Sequence, residues 1–104
     1  MEVMKKGGVT YINVTPHPVV FRRENGEEFT VPPSGVVINA RPVEEPAGER
    51  SGVRLVRTRF VADPSSATKL DELETRFPGA LIFGSIIAAQ AFPGRVLALI
   101  AAPG

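Results

Sequence analysis

Cysteine is absent from the chain, which excludes disulfides, thiolate metal sites and a cysteine nucleophile. Histidine is nearly absent. His17 is the one imidazole, so a His-rich metal site is excluded and a Ser-His-Asp triad has little support. A surplus of either charge is also missing. Twelve Lys and Arg stand against 11 Asp and Glu, a formal net charge of +1, and that balance leaves no electrostatic footprint for nucleic acid or an anionic membrane. With 43% hydrophobic and 22% charged residues, the composition is that of a folded domain, not a disordered tail. The length fits a single domain, 1–104, with a modest core.

No apolar run follows the basic pair Lys5-Lys6, so a secretory signal pattern is missing and the expected location is the cytoplasm. A long weakly charged stretch does occur later. Between Ala80 and Pro103 the one charged side chain is Arg95. About 20 apolar residues can span a bilayer, but Ser85, Gln90 and Pro93-Gly94-Arg95 interrupt this stretch. The expectation is therefore a subunit interface within Ala80–Ala101 and a homo-oligomer, since a small domain cannot hide so much apolar chain alone.

Ten Gly and ten Pro are spread along the sequence and punctuate short elements. The first part reads as strands. Val9–Asn13 alternates and is rich in β-formers. Val19–Arg22 and Glu28–Val31 flank Asn25-Gly26, a hairpin signal because both turn residues accept positive φ. Val36–Ala40 reads as a further strand, Glu44–Gly52 as a polar mobile loop, and Val53–Ala62 as the longest strand. The period then changes. Leu70, Leu73 and Phe77 lie at helical spacing behind Thr68-Lys69-Leu70-Asp71, a variant capping box, which predicts a helix over 68–77 with Asp71 and Glu72 in its first turn. Ala80–Gly84 reads as a buried strand, Ser85–Phe92 as two helical turns and Arg95–Ala101 as another strand. The echo of Phe77-Pro78-Gly79 in Phe92-Pro93-Gly94 supports a strand–helix–strand unit with parallel strands. The fold class is α+β: a small, mainly antiparallel β domain with two short C-terminal helices and a minimal βαβ unit.

Three places could carry chemistry. In Thr15-Pro16-His17-Pro18 two prolines remove alternate N–H donors, so the segment is a strand edge or a bend. His17 there is a ligand contact or proton shuttle, or else an imidazole bonded to a nearby carbonyl that holds the bend. Gly84-Ser85 precedes a short helix, where free N–H groups favour an anion; the alternative is that Ser85 is simply the N-cap. Arg57 and Arg59 share one face of a strand and could clamp a phosphate, or could pair with Glu44, Glu45 or Glu49.

Tyr11-Ile12-Asn13-Val14-Thr15-Pro16-His17-Pro18-Val19 resembles the INLTPHPV opening of a family of short, mostly uncharacterised proteins of phages, prophages and actinobacteria. The likeness continues in Val31-Pro32-Pro33-Ser34-Gly35 and in Ile82 to Ala91. The resemblance implies a mobile-element protein without an established enzymatic activity, and its recurring polar positions match Asn13, Thr15, His17, Ser85 and Gln90.

Together these readings lead to a non-catalytic protein that holds a small anionic ligand, such as a nucleotide signal, between subunits. No cofactor is implied. A structural or protein-interaction module is the alternative, and a hydrolase using His17 comes third. The hairpin reading carries its own test. Gly26→Val should cost about 1–2 kcal/mol, because a β-branched residue resists positive φ, and an unchanged melting temperature would remove the turn.

Overall fold

The computed structural model describes residues 1–99. Its centre is a four-stranded sheet in the order β1-β2-β7-β8, with β1 at Met4–Lys6, β2 at Val9–Asn13, β7 at Leu81–Gly84 and β8 at Leu97–Ala98. The β1–β2 pair is antiparallel, while β2–β7 and β7–β8 are parallel. Hairpin β3–β4 (Val19–Arg22, Glu28–Val31) and ribbon β5–β6 (Ala40–Arg50, Val53–Ala62) are both antiparallel. Two helices complete the α+β fold, α1 at Pro64–Arg76 and α2 at Ile86–Ala91.

Alternation along β2 and β7 divides the core. Ile12, Val14 and Ile82 join Leu70 and Leu73 of α1 and Ala88 of α2 on one face of the sheet. Tyr11, Leu81 and Phe83 meet Phe21 and Phe29 of the β3–β4 hairpin on the other. Phe21 meets Phe83 edge to face, centroids 4.8 Å apart, and stacks on Phe29 at 5.4 Å, with the T-shaped contact a favoured arrangement of ring quadrupoles. A sheet buried on both faces explains why Ala80–Gly84 has no polar alternation.

The β7–α2–β8 unit is the minimal crossover expected from the sequence echo. Both helices end alike. Phe77 and Phe92 adopt φ/ψ of −128°/70° and −127°/64°, and Gly79 and Gly94 follow at φ 79° and 77°. The N–H of Ala80 donates to the Phe77 carbonyl, and that of Arg95 to the Phe92 carbonyl. One local sequence makes one local shape twice.

Five expectations are corrected. Helix α1 starts at Pro64, earlier than the predicted 68, because Asp63 caps it by accepting from the Ser66 N–H and proline suits the first helical position. Thr68 is therefore inside the helix, bonded back to the Pro64 carbonyl, and Asp71 and Glu72 are not in the first turn. Segment Val36–Asn39 is not a strand. Its N–H groups find single partners, Ile38 donating to the Val14 carbonyl and Asn39 to Ser66 Oγ. Glu44–Arg50 is not a loop but most of β5, paired with β6. A ribbon with no buried face needs no apolar alternation, which is why its polar sequence misleads. Arg95 and Val96 belong to a turn and only Leu97–Ala98 to a strand, while Ile100–Ala101 lie outside the described residues. Finally, Gly26 has φ 88°, but Asn25 keeps a negative φ. The Gly26 N–H reaches the Arg23 carbonyl, and Arg23 pairs with Glu27, so the loop has three residues with glycine at its left-handed position. Two-residue turns with positive φ at both positions are Gly7-Gly8, at 61° and 81°, and Ser51-Gly52, at 52° and 78°.

Arg95 ties α1 to the turn after α2. Its Nε donates to Glu74 Oε1 at 3.1 Å, and its Nη2 reaches both Glu74 and Asp71. Donating hydrogen bonds to Glu74 first, then to Asp71, holds the Arg95 guanidinium pKa above its ordinary value. Ribbon β5–β6 projects away from this body. The longest dimension is 57 Å and the shortest 20 Å; the 16.8 Å radius of gyration exceeds the roughly 13 Å of a compact chain this long.

Close packing at Gly84 gives a stability test. A Cβ there would sit 3.0 Å from Val14 Cγ2 and 3.1 Å from Val96 Cγ1. Gly84→Ala should therefore lower stability by about 1–3 kcal/mol through overpacking, read as a lower urea midpoint.

Candidate functional site

Asn13 ends β2 with no exposed surface, and its side chain uses every hydrogen-bonding position it has. Nδ2 donates to the His17 carbonyl at 2.7 Å and to the Val31 carbonyl at 3.2 Å. Oδ1 accepts from the Thr15 N–H at 2.9 Å and from Thr15 Oγ1 at 2.6 Å. Its backbone carbonyl accepts from both the N–H and the Oγ of Ser34. The Thr15–Pro18 bend, the end of β4 and the Pro32–Gly35 turn thus converge on one residue. Ser34 was not among the residues singled out in the sequence, although its turn was; nothing in the chain order hints that it reaches Asn13.

His17 belongs to this loop through its backbone, not its ring. The carbonyl accepts from Asn13, and the N–H lies 3.3 Å from Thr15 Oγ1. The imidazole is exposed. The bend is held by a carbonyl of His17, where the sequence suggested its ring.

Gly84 and Ser85 leave the sheet beside this loop, since Asn13 pairs with Phe83 and the Val14 N–H donates to the Phe83 carbonyl. Ser85 Oγ accepts from the Ala88 N–H at 3.1 Å and caps α2. The space above Gly84 is taken by Val14 and Val96. Glycine here serves the fit of α2 against β2.

Two other predicted residues come together at a distinct place. Arg59 and Gln90 line a groove of about 540 Å³ between the base of β6 and the end of α2, with Thr58, Phe60, Ala91 and Pro93. Its size is that of small-molecule sites, which run to several hundred Å³. Arg59 Nε is 2.9 Å from Glu45 Oε1, and Arg57 Nη2 is 3.7 Å from Glu45 Oε2. Glu45 thus sits between the two arginines, as the pairing alternative in the sequence has it. Arg57 is not among the groove residues. Phe60 and Thr58 were missed as groove residues, because only the docking of α2 on β6 distinguishes them from other strand positions.

Among the described residues no cluster of three His, Asp or Glu side chains could hold a metal ion. No described helix is long and apolar enough to cross a membrane. Comparison with family models, curated proteins and solved structures gives no match.

The Asn13 network separates structure from chemistry by mutation. Asn13→Ala strands several carbonyl and N–H groups at once, each worth about 1–3 kcal/mol when buried, so a loss of about 3 kcal/mol or more is expected. His17→Ala, at an exposed ring, should change stability by less than about 0.5 kcal/mol. Thermal denaturation of both variants checks the contrast, and equal losses would sink it.

Proposed function

We propose that the protein is a non-catalytic binding protein of phage type that sequesters a small anionic ligand, a nucleotide, between subunits of a homo-oligomer. The observation that carries this reading is the convergence of Arg59 and Gln90, from two distant parts of the chain, on one groove that also contains Phe60. A guanidinium suits a phosphate, an amide suits a base edge, and an aromatic ring offers a face to a nucleobase. The Ser85 end of α2 lies outside this groove.

Glu45 sets the electrostatics of this groove. It holds Arg59 in place and competes with any incoming anion for the same guanidinium. With the Arg59 guanidinium 63% exposed, such a pair stabilises the fold little, so its loss should leave the structure intact. A second reading, a protein-interaction module, is favoured by one observation: Val53 and Val56 on the projecting ribbon are 60% and 57% exposed.

Calorimetric titration with a panel of mono-, di- and cyclic nucleotides tests the proposal. Binding should weaken about tenfold or more in Arg59→Ala, since a hydrogen bond to a charged group is worth about 1.5–3 kcal/mol. Gln90→Ala should weaken it less. Glu45→Gln should strengthen it by removing the competitor, and the nucleotide should be recovered unchanged. No binding by any member of the panel turns the reading to the interaction module; a cleaved nucleotide turns it to an enzyme.

A further inference from the structure

The register of the β5–β6 ribbon fixes which backbone groups face outward. Ser51-Gly52 is a two-residue turn, and Arg50 and Val53 close it; such a closing pair exchanges both its hydrogen bonds. Alternation then turns the N–H and C=O groups of Arg54, Val56 and Thr58 away from β5 and toward the open edge of β6. The residues of β5 opposite Val56 and Phe60 are Pro46 and Pro42. Proline has no N–H, so the open edge of β5 has lost two donors, and the register shift between Pro46 and Glu49 bends it further. Proline and bulges are how sheets guard an edge against pairing.

Strand β6 has neither device. Its base, Thr58–Ala62, lies beside α2, whereas its outer half, 53–57, is open. Val53, Leu55 and Val56 are exposed along that half. A two-stranded ribbon is marginal by itself, and three or more strands make it stable. One edge is guarded and the other is not.

We infer that the outer half of β6 pairs antiparallel with the same segment of a second copy, about a two-fold axis at Leu55. This rests on the oligomer in the functional reading above, and places its contact on β6 where the sequence alone suggests Ala80–Ala101. Centred there, Arg54 faces the partner's Val56, and both bring outward N–H and C=O groups to the ladder. Leu55 faces the partner's Leu55, and Val53 faces the partner's Arg57. No two arginines lie opposite one another, and like charges directly opposite are destabilising. Centring on Arg57 would set it against itself. Centring on Val56 would draw Arg59 and the base of β6, where α2 lies, into the pairing. The two ribbons become one four-stranded sheet, an isologous contact.

Light scattering and disulfide trapping on the full chain test this. The parent should have twice the 11.1 kDa chain mass at micromolar concentration. Val56→Pro removes an outward donor but no bond of the β5–β6 ladder, and should return the mass to that of one chain with the circular dichroism spectrum retained. The chain has no cysteine of its own. Opposed residues of a non-hydrogen-bonded pair lie about 4.5 Å apart at Cα, within disulfide reach. Leu55→Cys should therefore cross-link under mild oxidation, and Arg54→Cys should not. This second pair of variants decides the matter if Val56→Pro fails to fold. A dimeric parent with no Leu55→Cys cross-link overturns the edge pairing but leaves the ligand reading standing. A monomeric parent overturns the pairing and the placement of ligand between subunits together; nucleotide binding by that monomer would still preserve the groove.

Discussion

The body of the protein depends on the side chain of Asn13. A carboxamide at the end of a central strand has two donors and two acceptor positions, and here all four are spent on backbone or on a hydroxyl that itself holds backbone. The chain leaves β2 into a region with no regular ladder, where Pro16, Pro18, Pro32 and Pro33 supply no N–H groups. Carbonyls there would be left without partners inside the fold. Asn13 provides the missing donors, and Ser34 closes the other side by bonding to the Asn13 carbonyl and to Val36. Buried polar groups of this kind are costly if half satisfied and specifying if complete. Here the network is complete.

That dependence reorders the residues in which function might be sought. Asn13 and Thr15 are polar and close together because the loop needs them, and Ser85 is polar because α2 needs a cap. Gly84 is small because Val14 and Val96 press against it. The groove at Arg59 and Gln90 stands apart from these demands, where two elements meet without a ladder between them. Its guanidinium is 63% exposed and held by the half-buried carboxylate of Glu45, with which a ligand anion would compete.

The sequence was most legible where burial is strongest. Val9–Asn13, Val19–Arg22, Glu28–Val31 and Leu81–Gly84 have the composition of strands, and Leu70 and Leu73 mark the inner face of α1. The repeated Phe-Pro-Gly was readable as a helix ending because its glycines need positive φ. Legibility failed where structure is local but unburied. Ribbon strand β5 has Pro42, Pro46 and five exposed residues at its end, so neither period nor propensity distinguishes it from a loop. It exists because β6 lies beside it. The start of α1 was misplaced because Asp63-Pro64 outweighs the capping pattern at Thr68. The candidate site was half legible: the residue types were identifiable, but which of them meet depends on contacts between distant elements.

The parallel pairing of β2 with β7 also constrains how the chain folds. Ile12 finds its neighbour Ile82 only after the hairpin, the ribbon and α1 have been traversed. During synthesis the N-terminal apolar face has no β7 to pair with until most of the polypeptide has emerged, while hairpin β3–β4 and ribbon β5–β6 join neighbouring segments and can close early. Such non-local pairing raises contact order and slows the decisive step. A nascent chain halted before Gly84 would thus present formed hairpins but an unformed central sheet, with Ile12 and Val14 exposed to whatever is nearby.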